Sequence, residues 1–226
     1  MPDQIRCEDN DIKYDTIPRD FFFFPKSFEP LEFAVNLGIG ITRLPVQVVE
    51  EEISYSPMPI FNMRLGLSQT ISALMQINSN YISNHASIGF MKSYNFGDVY
   101  FSLGSEFSAW FGHIQLEAIK LKTWGMFMTP NAAVGFDFGS LFFSTQIESQ
   151  HHVFWTYAEN EFLGVLKKFD GGFAVKFCAE QPLWNKHWVA LSLKLNYSKF
   201  FYQSWLSYST VDEYLFYPEF NFGFNL

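Results

Sequence analysis

Residues 31–43 read LEFAVNLGIGITR. Leu31, Phe33, Val35, Leu37, Ile39 and Ile41 fall on one parity, and Glu32, Asn36, Gly38, Gly40 and Thr42 on the other. Successive side chains leave opposite faces of a pleated strand, so six apolar positions in alternation specify a β-strand with one greasy and one polar face. Which of the two faces meets water is the question that decides the fold.

The same period recurs along the chain. Phe61, Met63, Leu65 and Leu67 oppose Asn62, Arg64, Gly66 and Ser68, and Val99, Phe101, Leu103 and Phe107 oppose Tyr100, Ser102, Gly104 and Glu106. Ala132, Val134, Phe136 and Phe138 oppose Asn131, Gly135 and Asp137, while Leu141, Phe143 and Ile147 oppose Ser144, Gln146 and Glu148. Phe173, Val175 and Phe177 oppose Gly172, Lys176 and Glu180; Val189, Leu191, Leu193, Leu195 and Tyr197 oppose Ser192, Lys194, Asn196 and Ser198. Residues 65–91 contain no Asp, Glu, Lys or Arg, yet their many Ser, Asn and Gln leave them short of the ~20 mainly apolar residues of a spanning helix.

Between the runs, short connections (68–70, 95–98, 138–140, 169–172 and near Lys199) alternate with long ones (44–58, 79–84, 111–125, 151–160, 181–187 and 209–213). That connectivity predicts an all-β, antiparallel, up-and-down barrel. The count comes to twelve strands, with ten as the alternative because the runs at 161–169 and 201–208 are the weakest. The barrel spans residues 31–226, and residues 1–30, including DFFFFP at 20–25, form an N-terminal tail, a plug or a lip.

Composition sets the outer bounds. A chain of 226 residues, 48% hydrophobic and 20% aromatic, is one large or two small folded domains, and disorder is excluded as its overall state. A net charge of -8 with no basic cluster excludes a nucleic-acid partner. Cys7 and Cys178 form no CxxC pair, so neither a zinc site nor a disulfide framework follows from spacing. The opening MPDQIRCEDNDIKYD has no apolar core and reads as no secretory signal or anchor.

A soluble barrel or sandwich would turn its apolar face inward. Three features point the other way. The polar faces mix Gly, Asn and Ser with charges of both signs, as a wet lumen does. Apolar faces of four to six positions suit tilted strands of ~9–11 residues crossing hydrocarbon. Trp110, Trp124, Trp155, Trp184, Trp188 and Trp205 fall near the ends of the long connections, where an interfacial girdle is expected.

The terminal alternation Phe220, Phe222, Phe224, Leu226 resembles the C-terminal strand of bacterial outer-membrane β-barrel proteins, and the hairpin MRLGLSQTISALMQI (63–77) is similar to hairpins of barrels from Gram-negative bacteria. The final Leu departs from the usual Phe or Trp. This resemblance implies a porin-like transmembrane barrel in the cell outer membrane, in contact with outer-membrane lipid and delivered to the barrel-assembly machinery by its last strand.

A lumen carrying both signs fits a passive channel or small-solute transporter. Its expected lining charges are Arg64, Lys176 and Lys194 opposite Glu106, Asp137, Glu148 and Glu219. The alternative is a structural or interaction barrel that meets a partner through its loops, where Glu50, Glu51 and Glu52 form an acidic run. A third reading starts from His85 and Ser87, since SNHAS resembles the His-x-Ser element of outer-membrane lipid A deacylases. Ile88 stands where that element continues with Asn, and both residues share parity with the polar face, so no catalytic residue is assigned. Adjacent His151 and His152 point to opposite faces of a strand and make no metal site. No cofactor is implied.

Overall fold

A computed structural model describes residues 21–45, 54–80, 83–115, 120–153, 156–158, 161–164, 170–183, 187–198 and 214–226. In chain order the strands are β1 (Phe33–Arg43), β2 (Tyr55–Gly66), β3 (Ile71–Ser79), β4 (Ser83–Phe96), β5 (Val99–Gln115) and β6 (Lys120–Asp137). There follow β7 (Phe142–His152), β8 (Thr156–Ala158), β9 (Glu161–Gly164), β10 (Asp170–Leu183), β11 (His187–Ser198) and β12 (Leu215–Asn225). Ten of them close an antiparallel barrel in the order β1-β12-β11-β10-β7-β6-β5-β4-β3-β2, and β8 and β9 pair separately. The seam closes through β1 and β12, with Asn36 opposite Asn225 and Thr42 opposite Glu219.

Parity sorts the side chains as the alternation requires, with the apolar set outside. Phe33, Leu37, Ile39 and Ile41 of β1 are exposed while Ala34, Asn36 and Thr42 are buried. On β12 Phe220, Phe222 and Phe224 are exposed and Glu219 and Asn225 buried. Ile88 and Phe90 of β4 are more than 60% exposed, whereas His85, Ser87 and Ser93 are buried. A soluble monomer rarely exposes a contiguous apolar patch beyond a few hundred Å², so a continuous outer band of Phe, Ile and Leu belongs in hydrocarbon. Tyr197 lies on this outer face and stacks on Tyr214, ring centroids 4.9 Å apart.

The strand count is ten, the alternative of the two counts. Residues 161–164 sit in the small β8–β9 hairpin, and β7 pairs directly with β10. Residues 201–208 lie outside the described residues, and β11 pairs directly with β12. FDGG at 169–172 is no turn: β10 begins at Asp170 and bulges against β7 between Asp170 and Gly172. The 181–187 connection shrinks to 184–186 because β10 runs to Leu183 and β11 begins at His187. It belongs to the tight-turn end of the barrel, with the turns at 67–70, 97–98 and 138–141, the start of β1 and the end of β12. The short connection expected near Lys199 falls outside the described residues; β11, which precedes it, ends with Ser198 at the opposite end of the barrel.

The 111–125 connection is short for a related reason. β5 and β6 stay paired from Val99↔Phe136 to Gln115↔Lys120, 17 residues of β5. That is ~58 Å of strand, rising ~40 Å at a 45° tilt against ~30 Å of hydrocarbon. Backbone pairing therefore continues past the membrane boundary, where the alternation of side chains is no longer enforced. The tryptophan girdle is also corrected. Trp124 is exposed, but Trp110 and Trp188 are each 3% exposed and point inward, and positions 155, 184 and 205 lie outside the residues whose side chains are described. Gly125, opposite Trp110, makes room for that indole: a Cβ there would stand 2.7 Å from Nε1.

Candidate functional site in the lumen

The lumen has two storeys. At the tight-turn end, residues 21–28 (FFFFPKSF) lie inside the barrel, touching inward-facing residues of at least five different strands. Phe21, Phe22, Phe24 and Phe28 are buried with Ala34, Tyr100, Phe142 and Trp188. Phe21 meets Phe142 edge-on at 5.5 Å, Phe24 lies 4.9 Å from Tyr100, and Phe142 stacks on Trp188 at 5.2 Å. Gly135 of β6 is shaped to this segment, because a Cβ there would come within 2.6 Å of both the Phe24 ring and the Pro25 ring.

Two opposite charges grip the main chain of the segment. The Glu180 carboxylate of β10 accepts the backbone N–H groups of Phe22 (2.6 Å), Phe23 (3.0 Å) and Phe24 (2.8 Å). Arg64 of β2 donates to the carbonyls of Phe22 (2.9 Å) and Phe24 (2.8 Å), and also to that of Lys26. Its guanidinium lies over the Phe28 ring at 4.1 Å. A buried ion is tolerated when hydrogen bonds satisfy it, and both of these are nearly fully buried yet multiply bonded. Glu180 is in turn tied to the seam. Asn62 Nδ2 donates to Asn36 Oδ1 (2.9 Å), Asn36 Nδ2 to Asn225 Oδ1 (2.7 Å), and Asn225 Nδ2 to Glu180 Oε1 (2.9 Å). This chain of amides crosses β2, β1 and β12 and ends on the carboxylate that holds the segment.

Above that floor the lumen is polar. A cavity of ≈ 80 Å³ is bordered by Glu106, Glu148, Lys176, Lys194 and Glu219, among Gln, Asn and Ser side chains. It exceeds the ~10–15 Å³ that a single water needs, so it is large enough for water. An adjoining cavity of ≈ 70 Å³ has Phe22 and Phe23 in its wall and shares Glu106 and Lys176 with the first. Lys194 forms an ion pair with Glu148. Lys176 Nζ sits 3.7 Å above the Phe23 ring, a cation–π contact at the boundary between the storeys. Glu219 accepts from Asn221 Nδ2 at 3.0 Å.

Of the residues singled out in the sequence, Glu106, Glu148, Lys176, Lys194 and Glu219 thus meet around one cavity. Arg64 lies lower, on the segment. Asp137 stands apart at the rim, where it accepts the Gly139 N–H (2.7 Å) in the β6–β7 turn. Glu180 was not among the expected lining charges although it shares parity with Lys176, the signal that marks it. Ser87 donates to Glu106 Oε2 (3.0 Å), and the His85 ring stacks on Phe127 at 5.5 Å, so both residues belong to the lumen wall and not to the lipid face. His151 Nε2 contacts Ser149 Oγ at 3.0 Å. Among the described residues no three His, Cys, Asp or Glu are grouped to hold a metal ion.

A closed antiparallel barrel with an apolar outer band and a charged interior defines the class: a transmembrane β-barrel. No family model matches the chain, and no curated protein matches it. Among solved structures it is similar to the N-terminal β-barrel domain of Pseudomonas aeruginosa OprF, at 6% identity and a TM-score of 0.39 over 88% of this chain and 100% of that one. It is similar also to Neisserial surface protein A (11% identity, TM-score 0.26, 86% of this chain and 96% of that one). A third likeness is to Ail, the attachment invasion locus protein of Yersinia pestis (10% identity, TM-score 0.27, 87% and 99%). These likenesses are of architecture alone, and the place in the membrane rests on the barrel's own outer band.

Proposed function

We propose that the protein is an outer-membrane barrel serving as a passive channel for small solutes, closed at its tight-turn end in the described state. The observation that carries this reading is the set of charges of both signs, Lys176, Lys194, Glu106, Glu148 and Glu219, gathered around a polar cavity large enough for water. Opposed charges along a narrow wet path let a weakly charged or zwitterionic solute exchange hydration for protein contacts without binding too tightly to leave. The solute is a partner of the lumen, lipid of the outer face, and the assembly machinery of the strand ending in Phe220, Phe222, Phe224 and Leu226.

A second reading, a non-catalytic structural or interaction barrel, is favoured by one specific feature: the phenylalanines of residues 21–28 fill the tight-turn end as a core would. Planar-bilayer recording of the refolded, SDS-resistant chain separates the two. A channel gives reproducible current steps, and Lys194→Glu, which turns the cation of the Lys194–Glu148 pair into a third acid beside Glu148 and Glu219, moves the reversal potential toward cation preference. Silence from folded barrels, under applied voltage and in variants that loosen residues 21–28, favours the structural role.

A further inference from the structure

We propose that residues 21–28 are a releasable gate, latched by Arg64 and Glu180, whose departure opens the lumen from the tight-turn end. The purpose of such a gate rests on the channel reading above; its existence does not, and the two fail separately.

Among the described residues, no backbone-to-backbone hydrogen bond links 21–28 to any strand; the first such bond on this side is from Leu31 N to Gly66 O, beyond the segment. Polar attachment runs instead through two side chains, and both address the main chain of the segment: the carboxylate takes three N–H groups and the guanidinium gives to three carbonyls. Such bonds can be exchanged for bonds to water as a set, leaving the ten-stranded ladder intact.

The walls are also provided for after release. Arg64 of β2 and Glu180 of β10 carry opposite charge and hold the same two residues, Phe22 and Phe24, so the charges left in the wall are balanced once the segment has gone. Asn225 stays bonded to Glu180 and keeps the seam connected. The upper surface of the segment is Phe23, only partly buried, lying under the Lys176 ammonium at the floor of the polar storey. Its rings separate that storey from the tight-turn end, so moving them joins the cavities to the outside.

Cys178 reports on this event. It lies between Lys176 and Glu180 on the inward face of β10 and is 3% exposed. In a Cys7→Ser background it is the single thiol of the full chain. The test measures the rate at which a small cationic methanethiosulfonate modifies Cys178 in the folded barrel, in the wild-type latch and in two variants. Glu180→Gln weakens the grip on three N–H groups. Gly135→Val crowds Phe24 and Pro25 from β6 without altering any charge near the thiol, so it separates access from a change in thiol reactivity. Both variants, verified as heat-modifiable folded barrels, are expected to label at least tenfold faster than the wild-type latch. If Gly135→Val folds and Cys178 remains as protected as before, the segment is fixed core and the gate is overturned; the same result in a folded Glu180→Gln overturns the latch. Faster labelling without current in the bilayer supports the gate and overturns the channel.

Discussion

Placing one charge on either face of the last strand tests which solvent each face meets. Phe220 lies midway along β12, is 49% exposed, and is flanked across the sheet by Ile41 and Leu193, themselves 44% and 40% exposed. Its neighbour Asn221 points inward and borders the polar cavity. Phe220→Lys sets an ammonium at the middle of the apolar band, where a cationic side chain costs ~2–4 kcal/mol. At ~1.4 kcal/mol per tenfold, this is a roughly 30- to 700-fold loss in the folding equilibrium. Asn221→Lys introduces the same group one residue away, beside Glu219 and water, and is expected to cost under ~1 kcal/mol. Reversible denaturant unfolding from phospholipid vesicles, followed by tryptophan fluorescence, gives both values on one scale. Equal losses, or a larger loss for Asn221→Lys, would refute the assignment of the Phe face to lipid.

Further outcomes follow from the interior. Phe24 is fully buried between Tyr100 and Phe142, so Phe24→Ala should cost ~3–5 kcal/mol of the docking of residues 21–28, read as a faster proteolytic cut within them while the barrel stays heat-modifiable. An uncut segment would contradict that packing. Asn36→Leu takes the acceptor from Asn62 Nδ2 and the donor from Asn225 Oδ1 at the seam, each at ~1–3 kcal/mol, and should lower the temperature at which the barrel loses its compact SDS mobility. A variant as heat-resistant as the parent would remove the amide chain from the energetics of closure. Glu148→Gln takes the anion from the Lys194 pair and should move ion preference toward anions, opposite in sign to Lys194→Glu. Shifts of the same sign would place the pair outside the conducting path.

What the sequence determined by itself is the face of each residue. Strand geometry is local, and a period of two needs no knowledge of the partner strand, so Arg64, Glu106, Lys176, Lys194 and Glu219 could be assigned inward from their neighbours' parity. It also showed apolar faces of four to six positions, the length that suits tilted strands crossing hydrocarbon. Tertiary structure alone decided which charges meet. Lys194 and Glu148 are 46 residues apart on strands that are not adjacent, separated by β10, and only strand number and register bring them together. The count of ten was itself non-local: 161–164 has strand-like residues but finds its partner in β8, outside the barrel. FFFFPKSF carries no period at all, since four consecutive phenylalanines occupy both parities. Its place inside the barrel is set by Arg64, Gly135 and Glu180, three residues of three distant strands that converge on it only when the cylinder closes.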